Sequence, residues 1–119
     1  MKRVSIIILH SNDKLLMQLR DDKPEIDFPN CWGFFGGQIQ EDESPSESII
    51  RELYEEIGYI PEDLHYLETT KVEEEFEVSS FLTKLKPELS DLKLGEGKDF
   101  DLFSISEIKS GFLFSNKYS

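Results

Sequence analysis

The stretch GGQIQEDESPSESIIRELYEEIG, residues 36–58, decides the fold of this chain because it contains a helix with its own start and stop signals. Ser44 suits the N-cap, Pro45 suits the first helical position, and Glu47 completes an S-x-x-E capping box. Gly58 supplies the C-terminal stop, and a nearby proline prevents the helix from resuming. The sequence therefore predicts one helix between these signals.

Two groups of side chains share the surface of this helix. Four apolar residues recur at helical spacing and predict the stripe that packs into the core: Ile50, Leu53, Tyr54 and Ile57. Beside them, Glu52, Glu55 and Glu56 fall within roughly one 100° sector. Like charges one turn apart destabilise a helix by roughly 0.2–0.5 kcal/mol, and the macrodipole disfavours acids in its C-terminal half. Either the glutamates form a solvated surface, or a hard cation such as Mg²⁺ offsets their repulsion.

The spacing of charged residues and glycines in this stretch resembles a known family signature. From Gly37 the pattern is Gly, five residues, Glu43, seven residues and then R-E-L-x-E-E-x-G over residues 51–58. It is similar to the signature of the Nudix hydrolases, which cleave nucleoside diphosphates linked to another moiety. Two positions depart from the family pattern. Tyr59 stands where an aliphatic residue is usual, and Phe35 replaces a proline that often precedes the glycine pair.

The resemblance implies roles for individual residues. The implied catalytic residues are Glu52, Glu55, Glu96 and Arg51. The implied metal ligands are the carbonyl of Gly37 and the carboxylates of Glu52, Glu55, Glu56 and Glu96. Supporting roles fall to Glu43, Gly36 and Gly58, with Glu43 holding the Arg51 side chain or contacting the metal through water. Residues 73–75 are the alternative source of the distal carboxylate assigned to Glu96, and either Glu52 or Glu96 is the general base.

The implied cofactor is Mg²⁺, with Mn²⁺ as an alternative ion, and the implied partner is a small nucleotide. The substrate-binding candidates are Arg20, Phe28, Trp32, Phe35 and Asn116. An arginine can bind a phosphate bidentately, although Arg20 can equally pair with the aspartates that follow it. Aromatic rings can stack on a base or pack in a core. Asn116 either reads a purine edge or lies in a frayed terminus.

Composition limits the classes of partner. The chain has 119 residues, of which 38% are hydrophobic and 12% aromatic, as in a folded domain. A net charge of −12 argues against a nucleic-acid polymer as partner, because there is no basic stripe to displace counterions. Cys31 is the single cysteine, so we expect a reducing, cytoplasmic location without disulfides. No apolar run is long enough to span a membrane, and the oligomeric state is either monomer or homodimer.

The order of elements predicts an α+β fold made of one domain over residues 1–119. Strands are expected at residues 3–9, 14–19, 32–35, 64–68, 76–84 and 101–104, and a second helix at 105–109. The resemblance implies a Nudix-type α/β/α sandwich with a mixed β-sheet. The function predicted on this basis is a metal-dependent pyrophosphohydrolase in which water attacks phosphorus. The alternatives are a nucleotide-sugar hydrolase of the same family and a non-catalytic nucleotide-binding module of the same fold.

Overall fold

The computed structural model describes residues 1–19, 32–86 and 99–109 of the chain. In chain order, the elements are β1 Lys2–Ser11, β2 Lys14–Leu19, β3 Trp32–Gly33, β4 Phe35–Gln38, α1 Pro45–Ile57, β5 His65–Val72, β6 Phe76–Lys84, β7 Asp99–Ser104 and α2 Ile105–Lys109. The strands form one sheet, in which β1 and β6 run parallel while the other neighbours run antiparallel. The predicted α+β fold with a mixed sheet is confirmed. The assignment of residues 1–119 to one domain stays a prediction.

Strand β1 is the centre of the sheet because both of its edges are fully used. Along one edge it pairs with β6 over nearly its whole length, from Lys2 to His10. The other edge is shared, since β4 pairs with the first half of β1 and β2 pairs with the second half. Strand β2 continues the sheet to β7 and β3, and β5 lies outside β6. The chain leading into α1 therefore begins at a central position of the sheet.

The glycine pair lies inside a strand, whereas the sequence predicted a strand over residues 32–35 that ended before the pair. Gly36 and Gly37 belong to β4 and face Ile6 and Ser5 of β1. A β-carbon at Gly36 would lie only 2.9 Å from the Cα of Ile6, so a side chain there would overlap the backbone of β1. Glycine is therefore required at position 36 for the close approach of β4 to β1.

Helix α1 covers one face of the sheet. Its buried residues Ile49, Leu53 and Ile57 pack with a cluster from the strands that includes Ile7, Leu9, Leu16, Phe35 and Phe81. The predicted stripe was half wrong, because Ile50 is 37% exposed and Tyr54 is 59% exposed. The helix is rotated so that Ile49 and Glu56 face the sheet instead. Local periodicity identified the helix, but contacts with the sheet set its rotation.

A second apolar cluster lies on the opposite face. Side chains alternate along a strand, and Leu16 of β2 belongs to the α1 face, so its neighbour Met17 points to the other side. Met17 and Phe103 are buried there, and Trp32, Phe34 and Ile108 pack against them. The rings of Trp32 and Phe103 meet edge to face at 4.9 Å between centroids. This arrangement places Ile108 of α2 on the side of the sheet opposite α1.

Candidate functional site

The ends of α1 are fixed by the side chains that the sequence indicated. The Glu47 backbone N–H donates to the Ser44 hydroxyl at 3.2 Å, and the Ser44 N–H donates to the Glu47 carboxylate at 2.9 Å. At the other end, Gly58 has a positive φ of 67°, and its N–H donates to the Tyr54 carbonyl at 2.8 Å. The capping box and the glycine stop are confirmed, and they set the ends of the helix on which Glu52 and Glu55 lie.

A buried pair of hydroxyls fixes the rotation of α1 on the sheet. Ser5 of β1 and Ser48 of α1 are both fully buried, and their hydroxyl oxygens are 2.9 Å apart. The sequence did not predict this pair, although a serine inside the apolar run of β1 was a visible signal. A buried hydroxyl requires a partner, so the pair favours one orientation of the helix. That orientation directs the Glu52 side chain toward β4.

Arg51 is held by a bidentate pair with Glu43. Its Nε donates to one carboxylate oxygen of Glu43 at 2.6 Å, and its Nη2 donates to the other at 2.9 Å. The Gln40 backbone N–H also donates to Glu43 at 2.9 Å. The hydrogen bond from Arg51, and then that from Gln40, lower the pKa of Glu43 to about 2. The bond to Glu43 in turn raises the pKa of Arg51, so both groups are charged and the guanidinium is fixed in place.

The same guanidinium contacts two of the predicted metal ligands. Its Nη1 donates to Glu52 at 3.1 Å and to Glu55 at 3.3 Å. Its Nη2 also donates to the Gln38 carbonyl, at the end of β4, at 3.3 Å. One of the two interpretations drawn from the sequence was that an added cation offsets the repulsion between the glutamates. The structure shows that Arg51 offsets part of it from within the chain.

Gly37 and Glu52 occupy positions that exclude a side chain on the glycine. A β-carbon at Gly37 would lie 2.5 Å from the Cδ of Glu52 and 2.8 Å from its Oε2. The Glu52 carboxylate therefore lies against bare backbone, with Arg51 Nη1 on it, and its side chain is only 13% exposed. The glycine at position 37 is required by this contact between strand and helix.

The remaining carboxylates of α1 differ in their surroundings. Glu56 is buried at 6% exposure, whereas the Glu55 side chain is 40% exposed. Within residues 1–19, 32–86 and 99–109, no three His, Cys, Asp or Glu side chains are arranged to hold a metal ion. The donor chemistry nevertheless fits Mg²⁺, because carboxylate oxygens and a backbone carbonyl beside them are hard ligands. Because Gly37 has no side chain, no atoms of its own separate its backbone from the Glu52 carboxylate.

Several predicted site residues lie elsewhere. Glu96, Arg20, Phe28 and Asn116 fall outside the described residues. Trp32 belongs to the apolar cluster on the face opposite α1. Phe35 is fully buried in the core beneath α1, and a substrate contact by its ring would require that core to open. Among the described residues, the structure therefore brings Arg51 together with Glu43, Glu52 and Glu55, and it places Trp32 and Phe35 on opposite faces of the sheet.

The family model of the NUDIX domain matches residues 1–118 of the chain. The chain belongs to the NUDIX domain family. This confirms the resemblance drawn from the spacing of glycines and charged residues between positions 37 and 58. In the described parts of the chain, neither helix is long and apolar enough to cross a membrane.

Two relatives carry names that describe an activity. A protein named RNA pyrophosphohydrolase from Psychromonas ingrahamii is 37% identical over 68 residues, covering 57% of this chain and 34% of that protein. An RNA pyrophosphohydrolase from Hydrogenovibrio crunogenus is 35% identical over 68 residues, covering 57% of this chain and 38% of that protein. The match thus spans little more than a third of each relative's length.

Solved structures of the family share the fold. A MutT structure, from work on Aliivibrio salmonicida and Vibrio cholerae, has a TM-score of 0.73 at 18% identity and covers 92% of this chain and 84% of that one. The NUDIX domain of Shewanella oneidensis NrtR, crystallised with ADP-ribose, has a TM-score of 0.72 at 19% identity and covers 91% and 75%. At these identities the likeness establishes the fold, and the α/β/α sandwich is confirmed.

Proposed function

We propose that this chain is a metal-dependent pyrophosphohydrolase that cleaves a diphosphate linkage in a nucleoside triphosphate or another nucleoside diphosphate derivative. The observation that carries the proposal is the placement of the Glu52 carboxylate between the Arg51 guanidinium and the bare backbone of Gly37. The guanidinium and the glycine backbone together hold the Glu52 carboxylate in one position, as a catalytic or metal-binding acid requires. A glutamate that only makes the surface polar would not need a glycine opposite it.

The charge of the site supports a requirement for a divalent cation. Glu43, Glu52 and Glu55 surround a single guanidinium, so the cluster is anionic. A diphosphate is also anionic, and it would be repelled unless a cation lay between the two. When bound, Mg²⁺ or Mn²⁺ would neutralise the diphosphate charge and make a bound water more acidic. The residues that would hold the ion are Gly37, through its carbonyl, and the α1 glutamates 52, 55 and 56.

The chain's own groups then have distinct tasks. Glu52 would accept the proton from the attacking water, and Arg51 would position Glu52 through its Nη1 hydrogen bond. Glu43 would keep the guanidinium oriented through its bidentate pair. Glu96, the alternative base, lies outside the described residues. Loss of any acid in the signature would have favoured a non-catalytic module, and all of them are present.

Small nucleotides are the proposed substrates, in preference to RNA. The relatives named RNA pyrophosphohydrolase suggest RNA with a 5′-triphosphate as the alternative. Against it stands the net charge of −12, which would repel a polymer of phosphates. The NrtR domain crystallised with ADP-ribose adds nucleotide sugars and related diphosphates to the candidates. The cytoplasmic location also stays a proposal, supported by the single cysteine.

A substrate panel with isotope labelling tests the proposal. Nucleoside triphosphates, oxidised triphosphates, ADP-ribose, nucleotide sugars and a short 5′-triphosphate RNA are incubated with Mg²⁺ or Mn²⁺ in H₂¹⁸O. We expect metal-dependent release of a nucleoside monophosphate, with ¹⁸O in one product at the phosphorus that water attacks. EDTA should abolish release. Tight binding of a nucleotide without turnover of any panel member would contradict the proposal and favour the non-catalytic module.

A further inference from the structure

Two contacts attach helix α1 to neighbouring strands of the sheet, and they lie side by side. The Ser48 hydroxyl meets the Ser5 hydroxyl of β1 at 2.9 Å, and both serines are fully buried. The Glu52 carboxylate lies against the backbone of Gly37 in β4. Because Ser5 and Gly37 are directly paired, the two contacts are one strand apart on the sheet.

The spacing of the two contacts on the helix matches their spacing on the sheet. Ser48 and Glu52 are four residues apart, which places them on one side of α1 and about 6 Å apart along its axis. Directly paired residues of antiparallel strands have Cα atoms about 4.5–5.5 Å apart. A movement of α1 that breaks the hydroxyl pair therefore also moves the Glu52 carboxylate relative to Gly37.

Other contacts between α1 and the sheet restrain the helix less closely. Ile49 and Leu53 pack against apolar side chains, and hydrophobic contact has no preferred direction. Arg51 donates to the Gln38 carbonyl at 3.3 Å, but its long side chain can follow a moving helix. A hydrogen bond between two serines joins short side chains and weakens steeply when its distance or angle changes. Of these contacts, the hydroxyl pair therefore restrains the helix most.

Resting on the proposed function, we propose that Ser5 and Ser48 are positioning residues for the hydrolysis. Their hydrogen bond holds α1 where the Glu52 carboxylate lies against Gly37, so that Glu52 can accept the proton of the attacking water. Both serines are fully buried and contact no substrate, so they act through Glu52. Loss of the bond should therefore lower kcat without weakening the binding of substrate.

Substitution of one serine tests this effect on the rate. Ser48→Ala should lower kcat about tenfold, because the rate falls steeply when a catalytic group is misplaced, and KM should stay within about twofold. The Ser5 hydroxyl is then unpaired in the core, so the melting temperature should fall by roughly 3–8 °C. An unchanged kcat in Ser48→Ala would overturn the proposal.

Ser79→Ala is the matched control, because Ser79 of β6 is a buried serine beside Ser5 on the sheet. It is 2% exposed and directly paired with Ser5, but its hydroxyl is hydrogen-bonded to that of Thr69 in β5 at 3.0 Å and not to α1. Ser79→Ala should also lower the melting temperature, and it should leave kcat unchanged. An equal loss of kcat in Ser48→Ala and Ser79→Ala would show a general effect of lost stability and contradict the proposal.

The double variant Ser5→Ala, Ser48→Ala separates the position of the helix from its stability. Replacement of both partners leaves neither hydroxyl unpaired in the core, so the melting temperature should return to within about 2 °C of the wild type. No directional bond between these positions then restrains α1, so kcat should stay about tenfold low. If the double variant regained both its melting temperature and its kcat, the hydroxyl pair would be structural only, and the proposal would be overturned.

A cycle of variants with Gly37→Ala identifies the group through which the serines act. Gly37→Ala and Ser48→Ala both displace the Glu52 carboxylate, so the combined variant should lose much less kcat/KM than the product of the two separate losses. Gly37→Ala combined with Ser79→Ala should show no such coupling. Losses that multiply in full for Gly37→Ala and Ser48→Ala would mean that the serines do not act through Glu52, and would contradict the proposal.

The positioning role and the proposed function can fail separately. If the wild type turns over no member of the substrate panel, the proposed function fails, and the variants are compared by electron paramagnetic resonance for their Kd with Mn²⁺ alone. Ser48→Ala and the double variant should then bind Mn²⁺ about tenfold more weakly than Ser79→Ala, because Glu52 and the Gly37 carbonyl are no longer aligned. Equal Kd values, or no binding of Mn²⁺ by the wild type, would overturn the positioning role.

Discussion

Two acidic regions of this chain have similar composition and opposite organisation. In the α1 carboxylate cluster, defined as Glu43, Glu52 and Glu55 with Arg51, each acid accepts a hydrogen bond from the same guanidinium. In the hairpin loop, residues 73–75 between β5 and β6, three consecutive glutamates are exposed at the end of a sheet. The density of negative charge is comparable in both. What distinguishes the first region is the Arg51 guanidinium, which holds each carboxylate in a defined position.

The two regions also differ in how the backbone is used. Beside the α1 carboxylate cluster, the residue type suits the space available: glycine stands at position 37, where the Glu52 carboxylate excludes a β-carbon. In the hairpin loop, Glu73 and Glu74 have positive φ values of 55° and 62°, which glutamate rarely adopts. The turn between β1 and β2 has the same feature at Asn12 and Asp13, residues that tolerate it. Residue type therefore suits backbone position at the site, whereas it does not at Glu73 and Glu74 of the hairpin loop.

The largest difference between the regions should appear in catalysis. Glu52→Gln removes the predicted base or metal ligand while keeping the shape of the side chain, and we expect kcat to fall by about 10²–10⁴. Glu74→Gln makes the same chemical change in the hairpin loop, the alternative source of the distal carboxylate, and with Glu96 in that role it should leave kcat unaltered. Steady-state kinetics with saturating Mg²⁺ provide the measurement, and circular dichroism checks that both variants are folded. Equal effects of the two substitutions would remove the distinction between the regions.

The next largest effect concerns the contact between Gly37 and Glu52. In Gly37→Ala the new β-carbon displaces the Glu52 carboxylate, which is the end of a flexible side chain, so the fold should persist. A displacement of about 1 Å at a catalytic group can lower the rate about 10²-fold, and we expect a loss of that order in kcat/KM.

Gly36→Ala is the comparison for this prediction. Its β-carbon would overlap the backbone of β1, which cannot move aside as a side chain can, so the main effect should be a lower melting temperature. If Gly37→Ala lowered the melting temperature as much as Gly36→Ala, the assignment of Gly37 to the site would be contradicted. Full activity in Gly37→Ala would do so as well.

A third effect is the dependence of stability on pH. The pKa of Glu43 is about 2 in the folded chain, below the ordinary value of 4.5, because of its hydrogen bonds with Arg51 and Gln40. A group whose pKa is lowered on folding contributes stability above its unfolded pKa, and that contribution is lost as pH falls toward the folded value. In EDTA, the melting temperature of wild type should therefore exceed that of Glu43→Gln at pH 6, and the gap should close between about pH 4.5 and 2. A gap independent of pH would show that the ion pair does not stabilise the fold.

The sequence predicted those features that depend on nearby residues. The capping box at Ser44 and Glu47 and the stop at Gly58 each involve partners within four positions, and all were confirmed. The signature also indicated that Arg51 and Glu43 support each other, although they are eight positions apart. Glu43 lies just before α1 and Arg51 lies on it, so their fixed spacing in the sequence is enough to bring the two side chains together.

Features that depend on distant residues were predicted less well. The rotation of α1 is fixed by sheet contacts such as that between Ser5 and Ser48, and no local pattern could show that Ile50 and Tyr54 would be exposed. The position of the glycine pair in β4 depends on its register with β1. These features require knowledge of which strands are neighbours.

The smallest effect tests the hairpin loop alone. A non-glycine residue with positive φ is strained by roughly 1–2 kcal/mol, and glycine recovers part of this against its greater freedom in the unfolded chain. Glu74→Gly should therefore stabilise the protein by about 0.5–1 kcal/mol and raise its melting temperature by roughly 2–4 °C, with activity unchanged. Glu75→Gly removes the same charge at a neighbouring position without positive φ, and it should lower the melting temperature. If both variants were stabilised equally, relief of charge repulsion would be the cause, and the hairpin loop would differ from the α1 carboxylate cluster in electrostatics rather than in backbone strain.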